Sequence, residues 1–559
     1  MSSLPLLDKS NMVKDLSANI TCVLNTMGFW GLLGVLVGVV IVHSIFWIVY
    51  RLFFSPLAKF PGPKLAAATG WYETFFDLSS NNFPDVLAEM HAKYGPIVRV
   101  NPWELSINDA EYYNELYVTA GKRRTNFDAG PRSGLGMQGE RQYIFMEGKK
   151  LNALSWTDAI SITADHDTHE MRRKAVANFF SRQNVTRVES RIHDNIRMLD
   201  SKLFDLRGTG TAVALDHAFS AFTGDLVGQF TCGEHPQLLD GPDFTPQWLV
   251  FLVNTPLQHK SLYGVLRMVP LLRNLGWISQ LLKLVPVSLL TALNPKVAGF
   301  RMFTLVGEGQ IDKIKAEVAK ETKDSGFEEK QSVFHDILRS DLPPSEKDSA
   351  RLKREAFALL AAGTVTTAGM LALITYYVLA NPHIEERLRE ELKDVTAGFP
   401  EEVPRWADLE KLPYLQGCLK EGLRIGRFFR RNTRISPDVE LQYKQWTIPK
   451  NTPVGMSICL LHMDPEVYPE PYKFIPERWI GNYDPLMNRN FVPFTKGSRN
   501  CLGMNLAWSE LYICIGVLFR PGGYRMTLVG TDESDMVPIY DSDVGVAKRD
   551  SKGLNVRFD

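Results

Sequence analysis

A ten-residue segment near the carboxyl end, FTKGSRNCLG at residues 494–503, constrains this chain more than any other feature. Its spacing is F-x-x-G-x-R-x-C-x-G, and an apolar helical pattern follows at once. The two glycines let the backbone turn tightly around a sulfur. The arginine can form two parallel hydrogen bonds with a carboxylate, and the N-terminus of the following helix stabilises a thiolate. The segment therefore predicts that Cys501 binds an iron through its sulfur.

Two other interpretations of this cysteine explain less. An inert buried thiol is common, but it leaves Phe494, Gly497 and Arg499 without a role. Zinc is disfavoured because no second cysteine or histidine lies at the ligand spacing that is typical of zinc fingers. The six cysteines are scattered and form no C-x-x-C pair, which favours a reducing compartment for the body of the protein.

The composition predicts a folded protein with a large core and no attraction to nucleic acid. Of the 559 residues, 45% are hydrophobic and 23% are charged, which is ordinary globular usage. Lysine plus arginine and aspartate plus glutamate both number 63, so no whole-protein field would draw the chain to nucleic acid. A charged partner would have to bind a local patch.

One uncharged run near the amino end predicts a membrane anchor. Residues 27–50 are long enough to cross a hydrocarbon core of about 30 Å at 1.5 Å per residue. The run is longer than the apolar part of a cleaved signal peptide, and no small-residue cleavage site follows it. We therefore expect a single-pass anchor, with residues 1–26 lumenal and the rest of the chain cytosolic.

Beyond the anchor, the chain is predicted to contain a short spacer and one large domain. Residues 51–64 carry Pro56, Pro61 and Pro63, which favour extended backbone and predict a stiff spacer. Residues 65–559 show no internal repeat and no long Gly/Ser linker, so we expect a single domain.

Most of this domain carries apolar residues at helical spacing. The predicted helices are 83–94, 166–181, 185–206, 296–320, 348–380, 382–395, 414–426 and 504–518. Strand-like alternation is limited to 97–107, 432–448 and the last forty residues,. Two polar breaks, 130–141 and 321–331, predict surface loops. The predicted fold class is mainly α within an α+β arrangement: a large helical domain with small β-sheets, plus one N-terminal transmembrane helix.

The cysteine segment resembles the haem-binding segment of the cytochrome P450 family, with Cys501 at the position of the axial thiolate ligand. In that family the thiolate pushes electron density toward the iron and favours O–O cleavage. The resemblance implies the cytochrome P450 fold and haem b, iron protoporphyrin IX, as the cofactor. It also implies that Phe494 packs beside the sulfur, that Gly497 and Gly503 shape the turn, and that Arg499 meets a haem propionate.

Two further motifs precede the cysteine in the order of that family. Glu421 and Arg424 form an E-x-x-R pair, and PERW follows at residues 476–479. On spacing alone such a pair is usually solvated and contributes at most about 1 kcal/mol. The resemblance implies instead that Glu421, Arg424 and Arg478 form a buried triad, which braces the fold behind the haem and does no chemistry.

The longest apolar helix carries a segment similar to the oxygen-binding motif of the family. Residues 356–380 are uncharged and long enough to span a membrane, but a crossing would separate Cys501 from the first half of the chain, so we expect a core helix. AGTVTT at 362–367 implies that Thr366 bonds iron-bound dioxygen, and Gly363 is expected to open a groove for it. The alternative for Thr366 is a hydrogen bond to the carbonyl one turn back.

The same motif departs from the family at one position. Val365 stands where the family has an acid, and a valine cannot relay a proton. Our hypothesis is that Thr366 and ordered water deliver protons alone.

Basic residues elsewhere predict contacts with the haem and with an electron donor. His169 and Arg173 stand at the position of a W-x-x-x-R propionate contact, with histidine in place of tryptophan. One further propionate contact is expected from a set of four arginines: Arg427, Arg430, Arg431 and Arg434. A basic face for an acidic donor is expected from Arg172, Lys174, Lys496 and Arg499.

The candidate substrate pocket consists of residues near Thr366 and after the E-x-x-R helix: Phe357, Leu360, Ala361, Phe428 and Phe429. The matches run in family order from the proline-rich stretch through KYGP at 93–96 to Gly503. The chain therefore resembles fungal microsomal members of secondary metabolism, and several segments are most similar to terpenoid enzymes of the trichodiene-oxygenase type.

The resemblance implies a monooxygenase of the endoplasmic reticulum membrane with a cytosolic catalytic domain. It would insert one atom of O2 into an apolar small molecule, a terpenoid or another secondary-metabolite intermediate. Electrons would come from NADPH through NADPH–cytochrome P450 reductase, with cytochrome b5 as a second candidate donor, because the chain has no flavin domain of its own.

Two alternatives to a monooxygenase remain open. A haem-thiolate isomerase or dehydratase would use the same cysteine without external electrons; Val365 favours it and Thr366 counts against it. A non-catalytic haem sensor would need only Cys501.

Overall fold

A computed structural model describes most of the chain. The described residues are 29–79, 83–119, 121–126, 159–234, 236–241, 244, 289, 295–320, 331–426, 432–537, 540–541, 545–548 and 550–559. The glycine-rich stretch at 130–141 and nearly all of the polar stretch at 321–331 lie outside them.

Helices dominate the described residues, as the apolar periodicity predicted. They are Phe29–Val49, Lys64–Ala68, Trp71–Ser79, Phe83–Tyr94, Tyr113–Leu116, His166–Ala177, Arg182–Arg187, Glu189–Asp205, Leu215–Cys232, Pro295–Lys320, Val333–Arg339, Ser349–Ala380, Pro382–Leu392, Trp406–Leu409, Pro413–Ile425, Ile458–His462, Pro485–Asn490, Met504–Leu518 and Glu533–Met536. Short 3-10 turns occur at Ala110–Tyr112, Ile160–Ile162, Pro344–Lys347, Pro476–Trp479 and Gly497–Arg499, and one π-helical turn occurs at Tyr50–Phe54.

Small sheets accompany the helices, so the mainly α fold class is confirmed. The largest sheet has five strands in the order Ile97–Arg99, Leu105–Ile107, Pro453–Gly455, Arg434–Ile435 and Thr125–Asn126. Its second and third strands are parallel and the other neighbours antiparallel. A three-stranded sheet has the order Val213–Ala214, Asn555–Phe558, Met526–Leu528, and two hairpins pair Leu441–Tyr443 with Trp446–Ile448 and Tyr540–Asp541 with Gly545–Val546.

Ser349–Ala380, here called the core helix, runs through the largest hydrophobic cluster. Its N-cap Asp348 accepts a 2.9 Å hydrogen bond from the backbone N–H of Ala350, which satisfies one free donor of the first turn. The core helix packs against Leu215–Cys232 and Met504–Leu518. Its burial agrees with the expectation that this apolar run is a core element.

Helix Phe29–Val49 has the opposite environment. It is long and apolar enough to cross a membrane, and side chains such as Trp30, Val42 and Phe46 are exposed along it. Exposed apolar surface of this length is stable only in contact with lipid or protein. The helix therefore fits membrane anchoring.

The segment after the anchor differs from the expected spacer, because it packs on the body. Arg51 is buried and its Nη1 donates to the carbonyl of Ala68 at 3.1 Å. Arg99, from the largest sheet, donates in turn to the carbonyl of Arg51 at 2.8 Å. Leu57 and Phe60 are buried in the cluster beneath that sheet. The prolines thus shape a docked segment.

The helix boundaries show which sequence signals were sufficient. Helices Phe83–Tyr94 and Met504–Leu518 occupy the predicted ranges. The predicted helix 185–206 is interrupted at Val188, where φ is −105° and ψ is 18°, so Arg182–Arg187 and Glu189–Asp205 are separate. Helix Leu215–Cys232 was not predicted; it is buried on nearly every side, so its sequence shows no polar face to mark a helical period.

Candidate active site

The segment at 494–503, here called the cysteine loop, closes on itself before the helix Met504–Leu518 begins. The backbone N–H of Cys501 donates to the carbonyl of Phe494 at 2.9 Å, and that of Asn500 donates to the carbonyl of Gly497 at 3.1 Å. The ring of Phe494 packs against Trp508 on the following helix, with the ring centroids 5.7 Å apart. The sulfur is therefore carried by a loop with a defined shape.

Gly497 allows the cysteine loop to dock on the rest of the protein. Its φ is +82°, and an added Cβ would lie 2.4 Å from the carbonyl oxygen of Val118 and 2.6 Å from that of Tyr117. The N–H of Ser498 donates to the same Val118 carbonyl at 2.9 Å. Only glycine fits this contact.

Gly503 does not have the backbone conformation that the motif suggested. Its φ is −85°, which other residues adopt readily, and an added Cβ would meet no described atom within 4 Å. The turn therefore requires only Gly497, whereas Gly503 leaves open space beside Cys501.

Cys501 is accessible although protein surrounds it. Its side chain has substantial accessible surface, yet enough protein surrounds it that burial raises the pKa of its thiol. The Gly503 N–H and the charge of Arg173 both lower the pKa, but by less. The expected stabilisation by the helix N-terminus is thus outweighed, and a bound metal ion is what would remove the proton.

Basic side chains from separate elements cluster beside the cysteine loop. Burial, followed by the charges of Arg499, Arg173 and Arg434, lowers the pKa of His169 to about 3. Burial and then Arg434 lower the pKa of Arg499 to about 9. Like charges gathered in a poorly solvated place are unfavourable unless an anion joins them. The cluster is therefore suited to bind carboxylates.

The arginines of this cluster differ in how far their donors are used. Arg499 donates to the carbonyls of Thr163 at 2.6 Å and Ala164 at 2.8 Å. Arg173 donates to the carbonyl and the side-chain oxygen of Asn500 at 2.8 and 2.6 Å.

Arg434 has the most donors left for a ligand. Arg434 is 7% exposed and its guanidinium group lies over the ring of Tyr117. Within the described part of the chain, its side chain donates one hydrogen bond, from Nη1 to the carbonyl of Thr433 at 3.2 Å. Of the four arginines that the sequence could not rank, Arg427, Arg430 and Arg431 lie outside the described residues. Arg434 is the member of that set that the structure brings to the cluster.

The middle of the core helix has one accessible face. Ala362 is exposed, and Val365, Thr366 and Gly369 are half-buried, although neighbours such as Thr364 are buried. The Thr366 hydroxyl donates to the carbonyl of Ala362 at 2.8 Å, as the simpler alternative from the sequence predicted. Its oxygen keeps lone pairs that can accept a further hydrogen bond.

Gly363 has a different role from the one expected. An added Cβ would lie 2.5 Å from Cγ2 of Val227 on helix Leu215–Cys232. The glycine thus permits close packing of two helices, and the expectation that it opens a groove for dioxygen is replaced by this contact.

The candidate pocket residues fall into two groups. Phe357 and Leu360 are 2% and 5% exposed and belong to the main hydrophobic cluster, and Ala361 packs against its edge. Phe428 and Phe429 lie outside the described residues. The structure therefore brings Ala361, but not Phe357 or Leu360, next to the accessible face.

Glu421 is the centre of an ionic network in which Glu421 and Arg424 are fully buried and Arg478 is partly exposed. Its carboxylate accepts from Arg424 at 2.7 and 2.9 Å, from Arg478 Nε at 2.9 Å and from Trp479 Nε1 at 2.8 Å. Arg424 also donates to the carbonyls of His462 and Pro471 at 3.0 and 2.6 Å. One carboxylate faces two guanidinium groups here, and backbone carbonyls accept the remaining arginine donors. The network ties helix Pro413–Ile425 to the segment before the cysteine loop.

The basic face expected for an electron donor is smaller than predicted. Arg172 is buried and pairs with Glu346 at 2.7 Å, and Arg499 is committed to backbone carbonyls. Lys174 is exposed and Lys496 is half-buried. These two lysines remain available to a docking partner.

Glu510 was not predicted from the sequence. This residue is 2% exposed on helix Met504–Leu518 and contacts Thr367 of the core helix. Burial raises the pKa of its carboxyl well above the usual value. A signal was present: Glu510 is the one charged residue of that helix, and a charge within an apolar helix calls for a buried partner.

The comparisons with known proteins agree with this geometry. The family model described as "Cytochrome P450" matches residues 63–521. "Cytochrome P450 monooxygenase sdnH" from Sordaria araneosa is 45% identical over 93% of this chain and 94% of its own length. "Fusicoccadiene C-8 hydroxylase" from Phomopsis amygdali is 40% identical over 92% and 94%, and "Stellatic acid synthase" from Emericella variicolor is 39% identical over 94% and 95%.

Proposed function

Because the chain belongs to the cytochrome P450 family and is an oxidoreductase of the monooxygenase type, we propose that it hydroxylates an apolar terpenoid with electrons that originate from NADPH. The observation that carries this proposal is the cysteine loop: a preformed turn leaves the side chain of Cys501 accessible, and a cationic cluster borders the same loop.

The residues present fit the haem that the family implies. Cys501 would hold the iron, and the accessible sulfur lies beside Gly503, where no described side chain intrudes. When bound, the haem supplies the activation of dioxygen, and the thiolate tunes that chemistry. Phe494 would pack beside the sulfur and limit the access of water to it.

We assign the haem carboxylates to the cationic cluster. The side chain of Arg434 has unused N–H donors and is already buried, so little water would be displaced from it on binding. A charge-assisted hydrogen bond is about twice as strong as a neutral one. Arg499 and His169 border the same place. Arg173 supports this cluster indirectly, because its guanidinium group donates two hydrogen bonds to Asn500 of the cysteine loop.

The core helix would form the opposite wall of the site. The Thr366 hydroxyl donates its proton to the carbonyl of Ala362, and its oxygen can accept a hydrogen bond from a water molecule. Val365 and Ala361 present apolar surface beside it, which suits a hydrocarbon substrate. These side chains would orient the substrate and keep bulk water away.

The names of the relatives support an alkene-derived terpenoid as the substrate. One relative is named a hydroxylase of fusicoccadiene, so we use fusicoccadiene as the first substrate to test.

We place the protein in the endoplasmic reticulum membrane, with residues 1–26 lumenal, 27–50 as the anchor and the haem domain cytosolic. A membrane-bound NADPH–cytochrome P450 reductase would then reach Lys174 and Lys496, with cytochrome b5 as a second candidate donor. Docking of an acidic partner on these lysines should weaken with salt.

One experiment separates this function from its alternatives. The full chain, reconstituted in vesicles with haem, is reduced and exposed to carbon monoxide, and is then incubated with fusicoccadiene, with and without NADPH and reductase. A thiolate-type Soret shift and reductase-dependent oxygenated product support the proposal. Product without reductase would support an isomerase or dehydratase, and a thiolate spectrum without turnover of any terpenoid would support a haem sensor.

A further inference from the structure

Four ionisable side chains are buried together between helix His166–Ala177 and the start of the core helix. They are Arg172, Glu346, Arg351 and Glu355, here called the ionic chain, and each is at most 8% exposed. Removing charges from water is costly, so buried ion pairs are weak evidence for stability alone. The role of the ionic chain depends instead on what it holds in place.

Arginines and glutamates alternate along the ionic chain. Arg172 donates to the two carboxylate oxygens of Glu346 at 2.7 and 3.0 Å. Arg351 Nε lies 2.9 Å from Glu346 Oε2, and Arg351 Nη2 donates to Glu355 at 2.9 Å. The ionic chain thus joins helix His166–Ala177 to the first turns of the core helix.

The two end members of the ionic chain hold the segment 160–165. The carboxyl group of Glu355 accepts from the backbone N–H of Ile160, with both oxygens 3.1 to 3.2 Å from the nitrogen. Arg172 Nη1 donates to the hydroxyl of Thr163 at 2.7 Å. This segment is therefore fixed at two points by side chains that solvent hardly reaches.

The segment 160–165 in turn holds Arg499 of the cysteine loop. Its last three carbonyls, those of residues 163–165, accept from Nη1 and Nη2 of Arg499 at 2.6, 2.8 and 3.1 Å. Arg499 Nε donates to the carbonyl of Arg124 at 3.3 Å. A guanidinium group has five N–H donors, so at least one is left for a ligand. The carbonyls determine where that donor points.

We propose that Arg172 and Glu355 are positioning residues, which orient the remaining donor of Arg499 toward a haem carboxylate through the segment 160–165. This inference rests on the proposed function, because the cationic cluster that includes Arg499 is assigned there to the haem carboxylates. The core helix and the cysteine loop are thereby connected through polar contacts of the protein itself.

Thr163→Val is the smallest change that separates the ionic chain from Arg499. Valine keeps the shape of the side chain but cannot accept from Arg172. Transfer of haem from the full-length protein to apomyoglobin should become roughly 3- to 10-fold faster, the range that one hydrogen bond contributes. The midpoint potential of the haem should become more negative, because a cation that is less well placed stabilises the reduced haem less. Thr163→Ser keeps the hydroxyl and should restore both values.

The matched control is Thr231→Val, which removes a buried hydroxyl that donates to the carbonyl of Val227 at 2.6 Å within one helix. It should lower the free energy of unfolding in urea about as much as Thr163→Val does. Haem transfer and midpoint potential should stay at the wild-type values in this control. Equal changes of both values in the two variants would overturn the proposal.

A double-mutant cycle separates positioning from general stabilisation. If Thr163 acts through Arg499, then Thr163→Val should have no further effect on haem transfer in the Arg499→Met background. Full additivity of the two substitutions would overturn the proposal. If Arg499→Met does not retain haem, the midpoint potential of Thr163→Val and its rescue by Thr163→Ser decide the matter.

A further variant tests the other end of the ionic chain. Glu355→Leu removes the acceptor of the Ile160 N–H, so hydrogen exchange at this amide should be faster in the haem-free protein. The midpoint potential of the haem-loaded variant should shift in the same direction as that of Thr163→Val. Thr163→Val keeps the proposal testable should Glu355→Leu not fold.

The outcomes distinguish this inference from the proposed function. If the wild type gives no thiolate-type spectrum after reconstitution with haem, the proposed function fails. If the wild type gives that spectrum and Thr163→Val matches it in haem transfer and midpoint potential, only the positioning role of the ionic chain fails.

Discussion

Arg173 holds Asn500 with both branches of its guanidinium, one on the backbone carbonyl at 2.8 Å and the other on the side-chain oxygen at 2.6 Å. Because Asn500 directly precedes Cys501, this pair fixes the backbone that leads to the sulfur. A residue expected to contact the haem itself therefore also supports the loop that carries its ligand.

Cys501→Ser should abolish function while leaving the fold intact. The hydroxyl has nearly the same shape but cannot provide a thiolate to an iron, so the thiolate-type Soret shift and product formation should fall to background. The control is Cys232→Ser, because Cys232 is buried on another helix and burial raises its pKa to about 11. Equal product yields from the two variants would contradict the assignment of the ligand.

Gly497→Ala should destabilise the cysteine loop. The left-handed conformation alone costs a non-glycine residue about 1–2 kcal/mol, and the contact with the Val118 carbonyl adds to it. Haem retention after dilution should drop, and urea should unfold the variant earlier. Gly503→Ala is the matched control for the loop backbone, since its φ of −85° admits alanine; similar losses of stability in both would argue against this explanation.

Arg434→Met should weaken haem retention more than a surface substitution does. Losing a charge-assisted hydrogen bond costs about 1.5–3 kcal/mol, which corresponds to a roughly 10- to 100-fold faster transfer of haem to apomyoglobin. Arg123→Met is the control, because Arg123 pairs with Asp167 at the surface. Unchanged transfer in Arg434→Met would remove Arg434 from the haem contacts.

Glu421→Gln should reduce the free energy of unfolding by about 3–5 kcal/mol, because it leaves two arginines without their anion in the core. Glu115→Gln, which disrupts an exposed pair with Lys122, should cost at most about 1 kcal/mol. Urea unfolding followed by circular dichroism measures both. A small loss for Glu421→Gln would show that water compensates the arginines.

Acid should destabilise the protein through His462. Burial, and then the charge of Arg424, lower the pKa of this residue to about 3, and its Nε2 accepts from the N–H of Val492 at 2.9 Å. As pH falls below about 6.5, the unfolded chain takes up a proton that the folded protein refuses, so the free energy of unfolding falls by up to about 1.4 kcal/mol per pH unit. This loss continues until the pKa of the folded protein is reached.

The measurement for His462 is a series of urea titrations between pH 7 and pH 5. His462→Gln keeps an acceptor for Val492 and does not titrate, so its unfolding free energy should depend less steeply on pH. Parallel slopes for the wild type and the variant would mean that His462 is protonated in the folded protein as well.

The sequence was sufficient where local pattern alone determines the structure. Helix Met504–Leu518 and the strand pair around residues 97–107 follow from periodicity, and the network at Glu421 follows from the resemblance. The role of Gly363 could not be predicted, because it depends on contact with Val227 more than a hundred residues away. Glu510 was missed for the same reason: its partner Thr367 is brought to it only by helix packing.

Arg51, which follows the anchor helix directly, connects that helix to the body of the protein. Arg51 is held by Ala68 and Arg99, so hydrogen bonds join the end of the anchor helix to the body. If the helix spans a bilayer as proposed, its tilt would therefore set the orientation of the body relative to the lipid headgroups. A chimera with a foreign helix at 29–49 should keep this orientation of the body. A chimera in which the docked segment 51–64 is exchanged as well should lose it.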